Sequence, residues 1–511
     1  MRWWSVVSAA VAVVQVVEAA RILMVAPVGS ISHKIFYMSI AEALSTRNHT
    51  VTFLTGCKPS KPRRNIREVY VPGVNLYDEL SQTNIFNLTL HATSWKFISY
   101  LPKSCADSLA SKEMQRVQEE EFDLVVLSIV GIDCFYPYVH KLQVPYIHMS
   151  PNALLGSYSD VAGNPHFPSI VGNRFLEQEY PLTFTNRMFS TLIEVIWRIA
   201  TLYYFYPRIE EECTSRQLWP DDAPSLTQMR INGSLIIINS VKTMETPTSP
   251  YVPTVIHAGG IHCQPAQPLP QELDDWVAGA GDAGFIFFSL GSFVKPSLVP
   301  EKYQKLLLQV FSSLEQRVLW KWDQDAMDNM PANVRLSKWL PQQDVLGDPR
   351  LRLFITHGGL LSTQEATYHG VPLLGLPVFL DQQYNMEQVQ REGWGRLLQW
   401  DNLTYDNLRQ NILDIIHDTS LREEVSRRSA LMRDQPMPVV SWVTYWVEYV
   451  MRYNGAYHLR CPAYNMPWYE LYNVDAWLLV VMVLALVSFL SFKLLIAVCT
   501  CLCSAKKRKQ D

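Results

Sequence analysis

The chain keeps switching between two hydrophobic periods, and it does so twice. Ile22 to Pro27 is a short apolar run, Ile35 to Arg47 has helical spacing, and Thr50 to Leu54 is strand-like again. Phe122 to Val130 (FDLVVLSIV) and Val144 to Met149 continue the series. After residue 280 it restarts with Phe285 to Leu290, a helical stretch over Tyr303 to Leu314, then Arg317 to Trp322, Val334 to Trp339 and Leu351 to Thr356. Helical spacing over Ser362 to His369, a strand at Val371 to Leu376 and helical spacing over Gln382 to Arg391 follow. Strands that are apolar throughout must be covered on both faces, which is the condition of a parallel sheet between helices. Two such series predict an α/β chain with two facing doubly wound, Rossmann-like domains. Between them lies Cys263 to Pro270 (CQPAQPLP), whose three prolines favour an extended, stiff link. Doubly wound sheets bind ligands at the carboxyl ends of their strands, so facing sheets predict a small-molecule cleft.

The ends limit where such a body can work. Arg2 precedes a mostly apolar stretch, Val6 to Val17, and small residues follow at Ala19 and Ala20, the pattern of a secretory signal peptide. Ala476 to Phe492 carries no charge, and after Lys493 an apolar stretch runs from Leu494 to Cys503, enough together to span a bilayer. The tail Lys506-Lys507-Arg508-Lys509 predicts a cytosolic end. The expected organisation is a signal peptide (1–20), an acceptor domain (21–262), a linker (263–270), a donor domain (271–440), a C-terminal helical segment (441–475), a transmembrane region (476–503) and a basic tail (504–511). This is a single-pass type I protein with its body in a lumen. Lys507 and Lys509 have the spacing of an endoplasmic-reticulum retrieval signal. Asn48, Asn87, Asn232 and Asn402 open glycosylation sequons. Six cysteines precede the span (Cys57, Cys105, Cys134, Cys213, Cys263 and Cys461), and their spacing leaves any disulfide pairing open. Residues 181–211, rich in aromatics with sparse charge, read as a buried helix, a wall of an apolar acceptor pocket or a helix lying on a membrane.

Composition removes whole classes. Forty-eight per cent apolar and 18% charged residues exclude disorder, and a net charge of −4 gives no field for nucleic acid. Two motif matches also fail. Gly279 to Gly284 fits GxGxxG but precedes a strand instead of following one, so it cannot put a helix N-terminus on a pyrophosphate. Asp323-Gln324-Asp325 fits a metal-holding DxD but sits in an acidic loop with Asp328.

The specific signal runs from Trp339 to Asn385, WLPQQDVLGDPRLRLFITHGGLLSTQEATYHGVPLLGLPVFLDQQYN. It resembles the UDP-glycosyltransferase signature in order and length, and the THGGLLSTQEA form is most similar to arthropod members. The resemblance implies a two-domain GT-B enzyme of the metal-free type, with no cofactor and a UDP-sugar as donor substrate. The residues make chemical sense of it. Thr356-His357-Gly358-Gly359 ends a strand and opens a helix, whose first amides favour a diphosphate that the glycines let approach. By resemblance His357 and Ser292 contact phosphate, Glu365 accepts from the ribose, and Asp381 and Gln382 hold the sugar hydroxyls. Ser362 can add a hydroxyl, while Leu361 stands where many relatives carry Asn. Trp339 can stack on uracil and Gln342 can bond its edge.

In the first domain, His33 follows the first strand and resembles the family's general base, which an imidazole suits at neutral pH. The family pairs that His with an Asp. Many vertebrate members carry it where this chain has Ser128, so Asp133, in an arthropod-like Asp133-Cys134-Phe135, is the expected partner. The implied reaction is inverting transfer of a hexose to a hydroxyl of a small lipophilic acceptor, as in detoxification or hormone and pigment conjugation. Two rivals are a catalytically inactive carrier of lipophilic ligands and a protein- or lipid-linked-glycan transferase. From Thr243 to Val294 there is no Lys or Arg to pair with a uronate carboxylate, which favours UDP-glucose. The expected partners are donor, acceptor and membrane, with self-association left open.

Overall fold

The computed structural model describes residues 19–71, 86, 90–173, 176, 180–220, 222–292, 294–379 and 381–507. Most of the expected signal peptide, the Asn87 sequon and the tail beyond Lys507 lie outside the described residues. Residues up to Arg460 form one compact unit and those from Cys461 a second.

The first unit contains both expected sheets. One has seven strands: β1 (Arg21–Ala26), β2 (Thr50–Thr55), β3 (Ile66–Tyr70), β4 (Leu124–Ser128), β5 (Tyr146–Ser150), β6 (Ile236–Ile238) and β7 (Val255–His257), in the order β3-β2-β1-β4-β5-β6-β7. The other has six: β8 (Phe285–Ser289), β9 (Arg317–Lys321), β10 (Val334–Ser337), β11 (Leu351–Thr356), β12 (Leu373–Gly375) and β13 (Gly395–Leu397), in the order β10-β9-β8-β11-β12-β13. Every pairing is parallel. The apolar runs are continuous because both faces are covered: Phe285, Ile286, Phe287 and Phe288 are all fully buried, and Phe287 stacks on Phe354 at 4.8 Å. Each such side chain stabilises by about 1.5–3 kcal/mol on leaving water. In both sheets the chain winds outward over three strands and then returns beside its starting strand. This makes a topological switch point between β1 and β4 and another between β8 and β11.

The helices used below are α1 (Ile31–Thr46), α2 (Leu90–Leu109), α3 (Phe184–Ala200), α4 (Tyr206–Thr214), α5 (Leu226–Ile231), α6 (Leu360–His369), α7 (Gln382–Arg391), α8 (Thr419–Arg433), α9 (Val439–Arg452) and α10 (Val474–Lys507). The Gly279 to Gly284 run joins a helix end to the start of β8, the wrong order for a dinucleotide turn. Strands expected over Phe122 to Val130 and Val371 to Leu376 are shorter than their apolar runs.

Two segments lie outside the alternating strand–helix pattern. The C-terminal helical segment is not separate: α9 returns to the first sheet, burying Val443, Val447 and Val450 with Ile22, Met24 and α1's Phe36. Glu448 fixes it there, accepting from Arg47 Nε at 2.9 Å and lying 3.4 Å from His49 Nε2. Residues 181–211 do not form an ordinary buried helix either. Along α3 and the π-turn after it, Phe184, Met188, Phe189, Leu192, Ile196, Ile199 and Tyr203 are exposed, Tyr203 at 78%, while Ser190 is buried. The helix is amphipathic, but its apolar side looks outward.

One disulfide joins Cys105 of α2 to Cys134, the residue after Asp133. In the second unit the two apolar stretches on either side of Lys493 form one helix, with 28 residues from Val474 to Cys501 long and apolar enough to cross a membrane.

Candidate active site

Six loops at carboxyl ends of strands carry the expected chemistry, two on the first sheet, after β1 and β4, and four on the second, after β8, β10, β11 and β12. In the first sheet, β1 leads through Ser30, whose hydroxyl accepts from the His33 amide and caps α1. His33 therefore sits in the first turn of α1, packed against Gly29. Burial lowers its imidazole to a pKa of about 4, so the ring is neutral and able to take a proton at pH 7. Ile31 and Ile35 on the same helix are exposed, an apolar surface beside a base.

The loop after β4 lies against the loop after β1: a Cβ on Gly131, which has φ +62°, would stand 2.9 Å from Val28 Cγ2. Asp133 opens a short 3₁₀ turn in this loop, tied to α2 by the disulfide one residue later. Burial pushes its carboxyl upward, and the positive charge of Arg230 pulls it back. Arg230, at the end of α5, is buried, donates to Tyr206 Oη of α4 at 2.8 Å and lies 3.6 Å from Asp160. Ser128, standing at the vertebrate Asp position, bonds Tyr37 Oη at 2.9 Å and caps the amide of Val130, both structural duties.

In the second sheet, β11 ends in Thr356, and Thr356 Oγ1 accepts from the Gly358 amide, closing the turn into α6. Gly358 takes φ +84°. The His357 ring fills the space left by two other glycines. A Cβ on Gly291 would stand 2.5 Å from His357 Cε1, and one on Gly359 would stand 2.6 Å from Nε2. Burial, helped by the charge of Lys321, lowers the pKa of His357 to about 4, so it too is neutral. Ser292 follows Gly291 and is exposed.

Gln342 ties the ribose and uracil candidates together: its Nε2 donates to Ser362 Oγ at 3.1 Å and to Glu365 Oε2 at 2.6 Å. Glu365 is buried, and burial raises its pKa to about 7. Trp339 is 79% exposed. Asp381 lies just before α7; its Oδ2 accepts from Asn385 Nδ2, which also donates to Gly358 O, fixing it beside the His357 turn. Gln382 is largely committed to the protein, its Oε1 accepting from the amides of Val378 and Phe379 at 2.9 Å. Only its amide nitrogen is left for a sugar. Asp323 accepts from Ser297, and Asp325 pairs with Lys338 at 2.6 Å, so the DxD carboxylates are engaged in surface contacts.

Sequence reasoning did not single out Gly291 or His262. The latter lies 3.8 Å from Glu365 Oε1 and contacts Leu361 O, crossing from the end of the first domain to the donor helix.

The family model for "UDP-glucoronosyl and UDP-glucosyl transferase" matches residues 21–509. The chain belongs to the UDP-glycosyltransferase family. UDP-glucosyltransferase 2 of Dactylopius coccus is 32% identical over 490 residues, covering 93% of this chain and 91% of that one. The 2-hydroxyacylsphingosine 1-beta-galactosyltransferase of Mus musculus is 30% identical, covering 90% and 85%. UDP-glucuronosyltransferase 2B19 of Macaca fascicularis is 28% identical, covering 94% of each. Among solved structures, the calicheamicin glycosyltransferase CalG4 superposes with a TM-score of 0.54 at 16% identity, covering 85% of this chain and 99% of that one. A UDP-glucosyltransferase from Polygonum tinctorium, in complex with 3,4-dichloroaniline, gives 0.57 at 16% with the same coverage. These fix the fold as GT-B, with a UDP-sugar as the family's donor.

The packing of His357 against bare backbone makes a sharp prediction. Gly291 has φ +78°, where an L side chain is strained, and its Cβ would collide with the ring. Gly291→Ala should leave the protein folded and raise the KM for donor at least ~10-fold, the scale of about 1–3 kcal/mol of local strain. Steady-state kinetics at saturating acceptor measure it, and an unchanged donor KM would show that the His357 position does not matter to donor binding.

Proposed function

We propose that this transferase moves glucose from UDP-glucose to a hydroxyl of small lipophilic acceptors, inverting the anomeric carbon, with His33 as general base. The observation that carries the reading is a half-buried imidazole, kept neutral by loss of water around it, at the switch point of one sheet, in a chain that also keeps the ordered donor set on the other. A carrier that had lost catalysis has no use for both. In the reaction the acceptor oxygen bonds the anomeric carbon as its proton passes to His33. The bond from that carbon to the phosphate oxygen breaks, and its electron pair leaves on UDP. Asp133, whose ionised form burial disfavours and the charge of Arg230 favours, orients the imidazole and offsets the charge it gains. The N-terminus of α6 and His357 receive the leaving diphosphate. The exposed isoleucines of α1 support an apolar acceptor, as does the sphingoid substrate named for the mouse relative.

His33→Ala should lower turnover by at least ~10²-fold with little change in donor affinity. Near-normal turnover would make His33 structural. In the wild type at saturating donor, kcat/KM for acceptor should stay level as pH falls through 6.5 and drop only near 4, where the buried ring gains its proton. Asp133→Asn should also cut turnover, and if another acidic variant does so instead, the partner is misassigned.

The sugar rests on charge. Asp381 suits neutral hydroxyls and would repel a carboxylate, and no Lys or Arg occurs from Thr243 to Val294. Named relatives divide among glucosyl, galactosyl and glucuronosyl transfer. Side-by-side kinetics with one phenolic acceptor should give UDP-glucose the higher specificity constant over UDP-glucuronic acid. The reverse order would overturn the sugar and leave the reaction class intact.

We place the body in the lumen of the endoplasmic reticulum, with α10 crossing the bilayer and the outward face of α3 lying on it. Protease added to sealed microsomes should remove only the basic tail, and digestion of the body would refute this orientation. If the vesicles are then opened and the anchor severed, the body should stay with the membranes, and Ile196→Glu should release it.

A further inference from the structure

We propose that Lys321 binds the donor's diphosphate and supplies the full positive charge that the signature residues lack. The need follows from the site already described. Ser292, Trp339, Gln342, Thr356, Gly358, Gly359, Ser362, Glu365, Asp381 and Gln382 carry no cation. His357, the one residue there that could be cationic, is held neutral by burial. A helix N-terminus supplies only about half an elementary charge. A departing nucleoside diphosphate carries several negative charges, so helix and neutral imidazole leave most of it uncompensated.

Lys321 stands where that charge is missing. It is the last residue of β9, the strand beside β8, so it too sits at the carboxyl edge of the sheet. Its Nζ donates to Gly291 O at 3.0 Å, and Gly291 is the residue against which the His357 ring packs. The same Nζ lies 5.9 Å from the centre of the Trp339 ring. Its charge is felt at both Glu365 and His357. It thus lies among the groups read as contacts for uracil, ribose and phosphate. An ammonium has three N–H donors, and one goes to Gly291 O. Two remain to turn to phosphate oxygens, and a lysine that burial makes costly to charge gains most from an anionic partner.

The inference rests on the UDP-sugar reading of the site, and its test separates the two. Full-length enzyme, wild type, Lys321→Gln and Lys321→Arg, is titrated with UDP, UMP and uridine, and KM is measured for UDP-glucose and UDP-glucuronic acid. Lys321→Gln should weaken UDP about 10- to 100-fold, the worth of one hydrogen bond to a charged group. Uridine binding should be unchanged, both donors should lose affinity alike, and Lys321→Arg should recover part of the loss. Equal weakening of UDP and uridine would mean that Lys321 only supports Gly291, overturning the proposal. Loss confined to UDP-glucuronic acid would assign it to a sugar carboxylate instead, also overturning it. A wild-type enzyme that binds uridine as tightly as UDP would sink the donor assignment itself, an outcome distinct from either.

Discussion

The fit of one imidazole ring between two glycine backbones sets the geometry of the donor side. His357 occupies volume that any side chain at Gly291 or Gly359 would claim, so the turns after β8 and β11 can approach only because both positions are bare. That approach sets the turn that carries Gly291 against the turn that opens α6. The remaining contacts extend the same fit. Asn385 ties Asp381 to Gly358, and Gln342 ties Glu365 to Ser362. Each bond is individually modest, about 1 kcal/mol, and their value lies in holding atoms of four segments still before a ligand arrives.

The acceptor side uses burial where the donor side uses crowding. Largely withdrawn from water, His33 stays unprotonated, so in the proposed role of base it need not shed a proton first. The same withdrawal weakens it as a base, which is where a carboxylate partner matters. Asp133 is itself pushed toward its neutral form by burial, and Arg230 works against that push. The ionisation of Asp133 is thus a balance between burial and a residue about a hundred positions further along the chain.

Much of this could be read from the residues because parallel strands buried on both faces leave unbroken apolar runs. Phe285 to Ser289 and Leu351 to Thr356 lie where their runs predicted. Four strands escaped: β6, β7 and β13 have three residues each, too few for any period to register, and β3 (IREVY) carries two charges and is only partly buried, so it leaves no continuous apolar run. The outward face of α3 was hidden for another reason. A 3.6-residue period tells that one side of a helix is apolar, and it reads the same whether that side meets a core or leaves it. The donor residues were visible as an ordered string, and Lys321, with Lys295, was visible only as one of the nearest cations that could reach into the site, whereas His262 was not visible, because it lies outside that string. What brings Lys321 to Gly291 is the adjacency of β9 and β8, a property of sheet order.

The return of α9 to the first sheet has a consequence for how the chain is made. Topologically, the part of the chain built on the six-stranded sheet is an insert in the part built on the seven-stranded sheet, whose last helix is separated from its last strand, β7, by some 180 residues of sequence. During synthesis the seven strands are complete well before Val443, Val447 and Val450 exist to cover their share of Ile22 and Met24. That part of the face must wait, exposed or held, while the inserted domain emerges and folds. The acceptor domain is thus begun first and finished last, and a chain that stalled within the insert would leave an open apolar sheet face as its lesion.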